Sequence, residues 1–380
     1  MNELFRIVSG ALRLDIDRVR NYTSFLADKL EEAGDVASAG RLRKLLEENN
    51  HELRPAGAAN ARTLPVDSES RFPLVERINL RSIAEPPVFL ADEQSRTLRE
   101  FLSIAKSHAQ LEAEGISGSV SLLMYGPPGC GKSRVAREIA RELGLELFVA
   151  RLDGLISSYL GSTSKNIRAL FDFASRTPCV LFLDEFDAIA KLRGDTQELG
   201  ELKRVVNSFI QNLDTIGKQS IVIAATNHKE LLDEAVWRRF TYRLELSYPA
   251  VPTRDQMWRS FSLPLELSAR DVDLLVDLSE GFSGSDIYES CLRLHRKRIT
   301  TNEPPTIHDA FTALLNMTEG PGETSRFLSH LRHTGPRGIA VALRERNPEL
   351  YSHAALGALL GVSKATAYRW GTLEEVGRNG

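Results

Sequence analysis

The sequence predicts an α/β protein built on a parallel sheet, with helical modules before and after it. Five short apolar runs alternate with helical segments between residues 121 and 248. A glycine-rich motif directly follows the first run, and beyond residue 252 the apolar residues recur at helical spacing alone. Strands that are apolar throughout and separated by helices are typical of a parallel sheet covered on both faces.

Composition narrows the function classes. The chain has 380 residues, 48 Lys+Arg against 51 Asp+Glu, and a formal net charge of −3, which excludes a basic nucleic-acid coat or an acidic tail as its main feature. Its three cysteines are too few for a disulfide framework. No apolar run approaches the roughly 20 residues of a membrane span, and the N-terminus lacks the pattern of a signal peptide. We therefore expect a cytoplasmic protein with no membrane partner.

Breaks in the pattern divide the chain into five parts. Strands are predicted at 121–126, 145–153, 179–185, 220–227 and 242–248, with helices between them. The predicted parts are a small helical module that fits an adaptor or oligomerisation unit at 1–54, a Pro/Ala/Ser-rich linker at 55–74, the α/β domain at 75–249, a helical region at 250–318 and a helical tail at 323–380.

A phosphate-binding loop follows the first strand and opens a helix. Its glycines let successive backbone N–H groups point at phosphate oxygens, and the helix N-terminus adds the positive end of its dipole. Lys132 would neutralise the β- and γ-phosphates of ATP, and the Ser133 hydroxyl would bind Mg²⁺. A glycine-rich turn that binds nothing is the alternative. The motif consists of Gly126, Pro127, Pro128, Gly129, Cys130, Gly131, Lys132 and Ser133.

Polar side chains end two further strands at the same predicted edge of the sheet. Asp184 can hold Mg²⁺ through its water shell, and Glu185 can act as the general base that polarises the attacking water. Asn227 follows the strand at 220–227 and can orient that water or contact the γ-phosphate. The alternatives are surface carboxylates that cap a helix and an asparagine helix cap.

Four motifs in this order resemble the AAA subgroup of the AAA+ ATPases over about residues 75–315. They are GPPGCGKS, LFLDEFD, AATN followed by LDEA and RRF, and GFSGSDI at 281–287. The resemblance implies a five-stranded α/β core with a helical lid at 250–318, assembled as a ring, usually of six copies. It implies that Asn227 is the first sensor residue, and that Gly284 and Ser285 lie near the adenine.

Two positions depart from the pattern of that family. Arg238 and Arg239 are adjacent, whereas the family separates two arginines by a Pro-Gly pair, so either residue is a candidate for the arginine finger that reaches a neighbour's γ-phosphate. Adjacent arginines at a helix end more often form surface ion pairs. Cys130 replaces the commoner Thr. A thiol at a helix N-terminus can have a lowered pKa, so a redox switch is an alternative to a small residue that simply fits.

The resemblance also implies a substrate. Tyr159, Leu160 and Gly161 match the pore loop, whose aromatic ring grips an extended polypeptide by apolar contact. The alternative is that Tyr159 packs on its own domain. We expect ATP-driven remodelling or threading of a protein substrate, as in bacterial stand-alone AAA ATPases, which are often paired with a protease, notably a subtilisin-like one. The rival functions are a DNA-transaction or defence-type ATPase and a nucleotide-gated scaffold.

The tail resembles a helix-turn-helix over residues 353–370. Gly357 allows a close helix approach and Gly361 supplies the turn. Residues 326–380 hold eight Lys+Arg and four Asp+Glu, which favours DNA as a partner, with a hairpin for protein contact as the alternative. The predicted shared core is Leu356, Leu360, Val362, Ala367 and Trp370, and the predicted DNA-contacting residues are Ser363, Lys364, Thr366, Tyr368 and Arg369.

Overall fold

A computed structural model describes residues 23, 26–31, 35–48, 64–67, 71–80, 85–115, 120–151, 160–188, 208–213, 220–263, 265, 267–317 and 323–372. The chain divides into two compact units, residues 1–63 and residues 64–380. In the first unit, helix α1 (Val36–Glu48) follows Asp35, whose carboxylate accepts a hydrogen bond from the N–H of Ser38. Arg43 of α1 forms ion pairs with Asp28 and Glu31.

The second unit contains a six-stranded sheet with the order β1-β3-β4-β5-β2-β6. All five predicted strands are present and parallel to their neighbours, whereas β1 pairs antiparallel with β3 and was not predicted. β1 consists of only three residues, which are largely exposed, so it has no apolar run by which the sequence could have predicted it. The strands are β1 (Glu76–Ile78), β2 (Ser121–Tyr125), β3 (Glu146–Arg151), β4 (Cys179–Asp184), β5 (Ile221–Thr226) and β6 (Tyr242–Glu245).

Helices cover both faces of this sheet, as the continuous apolar character of its strands predicted. Alternate residues of β4 enter opposite hydrophobic clusters: Leu181 packs with Phe171 of one helix, and Phe182 packs with Ile139 of another. The helices around the sheet are α2 (Asp92–Ala113), α3 (Lys132–Leu143), α4 (Leu160–Arg176) and the short α5 (Glu234–Trp237), which follows a 3₁₀ turn at Lys229–Leu231.

Described residues between 64 and 74, which the sequence analysis assigned to a linker, pack on the α/β core instead. Val66 bridges Pro73, and Leu74 is buried in the cluster beneath α4. The carboxylate of Asp67 is buried and accepts a hydrogen bond from the Asn166 amide of α4. Because single apolar residues are separated here by polar ones, the segment reads as a linker in the sequence.

After β6, the described elements of the chain are all helices. Capping boxes at Ser268, Ser283 and Thr306 start three of the helices, each with an Asp three residues on. The helices are α6 (Val251–Phe261), α7 (Ala269–Leu278), α8 (Gly284–Thr301), α9 (Ile307–Leu315), α10 (Glu323–Arg332), α11 (Pro336–Arg346), α12 (His353–Leu360) and α13 (Lys364–Thr372). Among the described residues, none of the helices combines the length and the apolar character that crossing a bilayer requires.

Lid and tail share one hydrophobic core, although the Pro/Gly break at 319–322 predicted separate parts. One cluster of buried side chains extends from Met257 in α6 to Ala367 in α13. At its centre Tyr351, which is 0% exposed, donates a hydrogen bond to Asp277 of α7. Arg346 pairs with the same carboxylate at 3.3 Å. The Pro/Gly-rich stretch therefore does not divide the hydrophobic core. Helices α6–α13 form one body, called the lid–tail body below.

We expect substitutions of Tyr351 to destabilise the lid as well as the tail. Tyr351→Ala opens a cavity in the shared core and should lower the free energy of unfolding by roughly 3–5 kcal/mol. Tyr351→Phe removes only the hydrogen bond and should cost about 1–2 kcal/mol, because Asp277 keeps its ion pair with Arg346. Amide hydrogen exchange measures this: Tyr351→Ala should accelerate exchange in α7 and α12 together. Faster exchange confined to α12 would contradict a shared core.

Candidate nucleotide site

A cavity of about 330 Å³ lies at the carboxyl edge of the sheet, where β2, β4 and β5 end. Ligand sites in open α/β sheets form at this edge. The structure brings the phosphate loop, the acidic pair, Asn227 and the two lid residues predicted from the resemblance to one place. The described lining residues are Pro87, Val88, Phe89, Pro128, Gly129, Cys130, Gly131, Lys132, Ser133, Arg134, Asp184, Glu185, Asn227, Met257, Phe261, Gly284 and Ser285.

Two glycines of the phosphate loop are required by close approach. Gly126 has φ 138°, and a Cβ there would lie 2.1 Å from the carbonyl oxygen of Leu246. Gly129 has φ 76°, and a Cβ there would lie 2.4 Å from Oγ of Ser283. Both values of φ are in the region that favours glycine. The loop is thus wedged between the end of the sheet and the start of α8.

The donors and acceptors around the loop fit a magnesium-bound polyphosphate. Helix α3 begins after Gly131, which offers no side-chain cap, so its first turn presents N–H donors that suit phosphate oxygens. Lys132 is 8% exposed, its ammonium donates to the carbonyls of Gly126 (2.6 Å) and Pro127 (2.8 Å), and burial lowers its pKa. The ammonium is therefore held beside the loop.

Two side-chain oxygens that could hold Mg²⁺, directly or through its water shell, lie side by side. Oγ of Ser133 is 3.5 Å from Oδ2 of Asp184. Among the described residues there is no group of three or more His, Cys, Asp or Glu side chains that could hold a metal ion. Such a site suits Mg²⁺, because that ion usually keeps several waters and takes its remaining ligands from one or two protein groups and substrate phosphates.

Glu185 stands on a strained turn. It has φ 54°, an uncommon conformation for a residue with a side chain, and its N–H donates to Asp184 Oδ1 at 3.0 Å. The next residue returns to the sheet, since the Phe186 N–H donates to the Ala225 carbonyl at 2.8 Å. Backbone strain of this kind clusters at functional sites. The turn places an exposed carboxylate on the lining of the cavity.

A polar link that the sequence analysis missed connects the ends of β4 and β5. Thr226 Oγ donates to the buried carboxylate of Asp187 at 3.3 Å and accepts the His228 N–H at 3.0 Å. Asn227 lies between Thr226 and His228 in the sequence and is exposed at the cavity. The only sequence signal was a polar residue two positions after Glu185. This link fixes the spacing between Glu185 and Asn227.

Arg238 and Arg239 lie outside the described lining of the cavity. Arg238 is 72% exposed and pairs with Glu234 one turn earlier. The carbonyl of Arg239 accepts a hydrogen bond from Ser121, the first residue of β2, at 3.3 Å. The phosphate loop follows the last residue of that strand, about 13 Å away at 3.3 Å per residue. The structure therefore does not bring either arginine to the nucleotide site of its own chain.

The structure describes only part of the predicted pore loop. Tyr159 lies outside the described residues. Leu160 and Gly161 form the first turn of α4. The backbone there is described, and the pore role of all three residues stays a prediction.

Cys130 does not have the lowered pKa that a redox switch would need. Burial raises its pKa to about 11 and outweighs the opposing charge of Lys132. Cys179 and Cys291 are both fully buried. The redox alternative is thus wrong in its premise, and Cys130 is a small residue that packs within the loop.

An aromatic wall, unforeseen from the sequence, closes the other side of the cavity. The ring of Phe89 stacks edge-on against Phe261 at 5.5 Å, Phe261 meets Tyr288 at 5.2 Å, and the Arg134 guanidinium lies 4.8 Å from the Tyr288 ring centre. Such a wall suits a flat base. The only signal was the apolar Pro87–Phe89 run before α2, which belongs to no recognised motif. Here also the Ser285 N–H donates to the Gly129 carbonyl at 3.1 Å.

Comparison with known proteins agrees with this geometry. The family model for the "ATPase family associated with various cellular activities (AAA)" matches residues 122–248, from β2 to just beyond β6. An "uncharacterized AAA family ATPase" of Sinorhizobium fredii is 36% identical over 272 residues, which cover 70% of this chain and 80% of the relative.

Two further relatives share the ATPase region. A "putative 26S proteasome regulatory subunit homolog" of Methanothermobacter marburgensis is 34% identical over 192 residues, 49% of this chain and 51% of that protein. The "peroxisomal ATPase pex6" of Schizosaccharomyces pombe is 32% identical over 213 residues, 53% of this chain and 22% of that protein. The chain therefore spans about half of one relative and about a fifth of the other. With the first relative matched over four fifths of its length, the chain belongs to the AAA family of ATPases and is an ATP hydrolase.

Proposed function

We propose that the protein is an Mg-ATP-dependent ATPase that works as a ring and remodels or threads protein substrates. The observation that carries the proposal is the cavity at which the phosphate loop, Asp184, Glu185 and the lid meet. Two matched relatives, a proteasome regulatory subunit homolog and a peroxisomal ATPase, support a role in protein handling. A subtilisin-like protease partner stays a prediction from the resemblance.

In this proposal each residue of the cavity has one task. The ammonium of Lys132 holds the β- and γ-phosphates, and Ser133 with Asp184 holds Mg²⁺. When bound there, Mg²⁺ would supply positive charge that makes the γ-phosphorus more electrophilic. Glu185 takes a proton from the attacking water, and the amide of Asn227 orients that water. The adenine ring lies toward the aromatic wall and the lid residues Gly284 and Ser285.

The arginine pair supports assembly. Neither arginine belongs to the described lining of the cavity in its own chain, so we assign them to hydrolysis at a neighbour's site. Arg238 is largely exposed and is held by a single surface ion pair. Such a pair stabilises little, so its release costs little. Either arginine can serve as the finger, and a ring, usually of six copies in this family, supplies the neighbour.

We expect Glu185→Gln to abolish turnover and keep nucleotide binding. Gln has the shape of Glu and leaves Lys132, Ser133 and Asp184 in place, but it cannot accept the proton. The kcat for ATP hydrolysis should fall by roughly 10²–10⁴-fold, with an unchanged Kd for the nucleotide. Asp184→Asn is the control, since it should weaken Mg-nucleotide binding itself. If Glu185→Gln loses binding to the same extent, Glu185 is structural.

Two glycine variants separate backbone strain from contact with the lid. Gly129→Ala and Gly131→Ala both place a side chain at positive φ, at about 1–2 kcal/mol each. Only at Gly129 does the new Cβ also meet Ser283; at Gly131 no other group lies within 4 Å. Gly129→Ala should therefore weaken nucleotide binding more, as measured by titration with a fluorescent nucleotide.

A second substitution, at Ser283, tests whether contact with that residue causes the loss of nucleotide affinity in Gly129→Ala. Adding Ser283→Gly to Gly129→Ala removes the two closest atoms, Oγ at 2.4 Å and Cβ at 2.9 Å, and glycine is acceptable as a helix N-cap. We expect partial recovery of nucleotide affinity. Equal affinities of Gly129→Ala and Gly131→Ala, with no recovery, would show that the approach of the lid to the loop is unimportant for binding.

Replacing the proposed pore aromatic should uncouple hydrolysis from substrate. Unfolded protein should stimulate ATP hydrolysis by the wild type, and Tyr159→Ala should bring the ratio of stimulated to basal hydrolysis toward one. Tyr159→Phe keeps the flat ring and should keep the stimulation. Full stimulation in Tyr159→Ala would remove the support for threading, and stimulation by duplex DNA alone would favour the rival DNA-transaction function.

A further inference from the structure

Helices α12 and α13 form a compact pair joined by a three-residue turn. Gly361 ends α12 with φ 68°, and Ser363 Oγ accepts the Thr366 N–H at 3.1 Å to cap α13. The helices approach so closely that a Cβ on Gly357 would lie 2.9 Å from the Val362 carbonyl. Leu356 and Ala367 are fully buried between them, as predicted, while Leu360, Val362 and Trp370 are partly buried against the same core.

The pair is fixed on the lid through α12. His308 of α9 hydrogen-bonds the Leu359 carbonyl at 2.7 Å, and its ring lies 3.5 Å from where a Cβ on Gly361 would be. The guanidinium of Arg270 in α7 donates a hydrogen bond to the hydroxyl of Ser352, the N-cap of α12. These contacts occupy α12 and the turn, whereas α13 packs against α12 and α11 and leaves its remaining side exposed.

Over the described residues 364–372, the outer face of α13 is positive and carries no carboxylate. Its exposed residues, Lys364, Ala365, Tyr368 and Arg369, share one side of the helix, and the helix contains no acidic residue. Arg369 contacts Thr366 of its own helix at 3.3 Å. By contrast, Arg346 at the end of α11 is neutralised by Asp277 and Glu280 of the lid.

Further positive charge flanks this face. Arg344 of α11 lies beside Gly371, with its Cδ 3.4 Å from where a Cβ on that glycine would be. His353 lies under the Tyr368 ring, 4.9 Å between ring centres. The charged groups that act on His353 are Arg344 and Lys364, both cations. Among the described residues, none of the cations Arg344, Lys364 and Arg369 forms an ion pair, so positive charge surrounds one exposed aromatic ring.

The geometry points to the face of α13, formed by Lys364, Tyr368 and Arg369 with Arg344 at its edge, as a binding surface for duplex DNA. An α-helix fits the major groove, and helices in such pairs enter it with their N-terminal residues, here Ser363 and Lys364. Cations at the edges of the helix suit phosphates on either side. The exposed Tyr368 and Arg369 would also suit a protein partner, but lysine is depleted at protein interfaces and Lys364 stands on this face.

One copy of the surface would bind weakly. Lys364, Arg369 and Arg344 offer about three phosphate contacts, and each contributes about −0.9 to the slope of log affinity against log salt. Several copies on one ring would raise the affinity by effective concentration. This inference goes beyond protein remodelling, and only the gain in affinity from several copies rests on the proposed ring.

The test is fluorescence anisotropy with a labelled 30-base-pair duplex of mixed sequence, the full-length protein and a non-hydrolysable ATP analogue. We expect Lys364→Ala with Arg369→Ala to weaken binding by roughly tenfold or more and to flatten the salt slope by about two for each tail engaged. The control is Arg293→Ala with Arg296→Ala on α8, which removes the same charge from exposed residues that pair with Glu289. It should leave the affinity within about twofold.

Folding and charge are controlled separately. The unfolding midpoint should be the same for both double variants, and Lys364→Arg with Arg369→Lys should keep the charge and most of the binding. Equal weakening by the two alanine pairs would mean non-specific attraction and overturn the proposal. No duplex binding by the wild type at low salt would overturn it too. If the α13 variants then lower stimulation by unfolded protein, the face belongs to a protein contact.

Discussion

The contact between Gly129 and the start of α8 is the constraint on which the rest of the structure depends. The Gly129 carbonyl accepts the Ser285 N–H at 3.1 Å, and no side chain fits at Gly129 without meeting Ser283. On the α8 side, the capping box of Ser283 and Asp286 holds the first turn rigid. Phosphates bound by the loop would therefore lie next to a stiff helix end, and we expect a shift of the loop to move the lid.

From α8 to the tail, the helices share one continuous hydrophobic core. The same hydrophobic cluster holds Leu294 of α8, Phe311 of α9 and Leu356 of α12. Hydrogen-bonded charges reinforce it where Tyr351 and Arg346 meet Asp277. Because densely packed cores shift between discrete arrangements more readily than they deform, we expect any movement of the lid on nucleotide binding to carry the whole lid–tail body. A ligand on the tail that favours one lid position must then change nucleotide affinity by the same factor.

Local patterns predicted most of the sheet and most of the nucleotide site, since strands β2–β6, the phosphate loop and Asp184–Glu185 are continuous runs or short motifs. Contacts between distant residues were not predictable. Asp67 and Asn166 are 99 residues apart, Tyr351 and Asp277 are 74 apart, and neither pair leaves a mark in the intervening sequence. The pKa of Cys130 illustrates the same limit: its place at a helix start suggested a lowered value, whereas burial by the folded chain raises it.

Assembly links the proposed activities through one geometric fact. The arginine pair lies about one strand length from the phosphate loop of its own chain. In the proposed ring each site is completed by a neighbour, so hydrolysis reports that neighbours are in place. The same assembly brings the α13 faces together, and a surface with about three cations then becomes a multivalent one. In the proposed ring, hydrolysis and tail binding would therefore both depend on whether the next subunit is present.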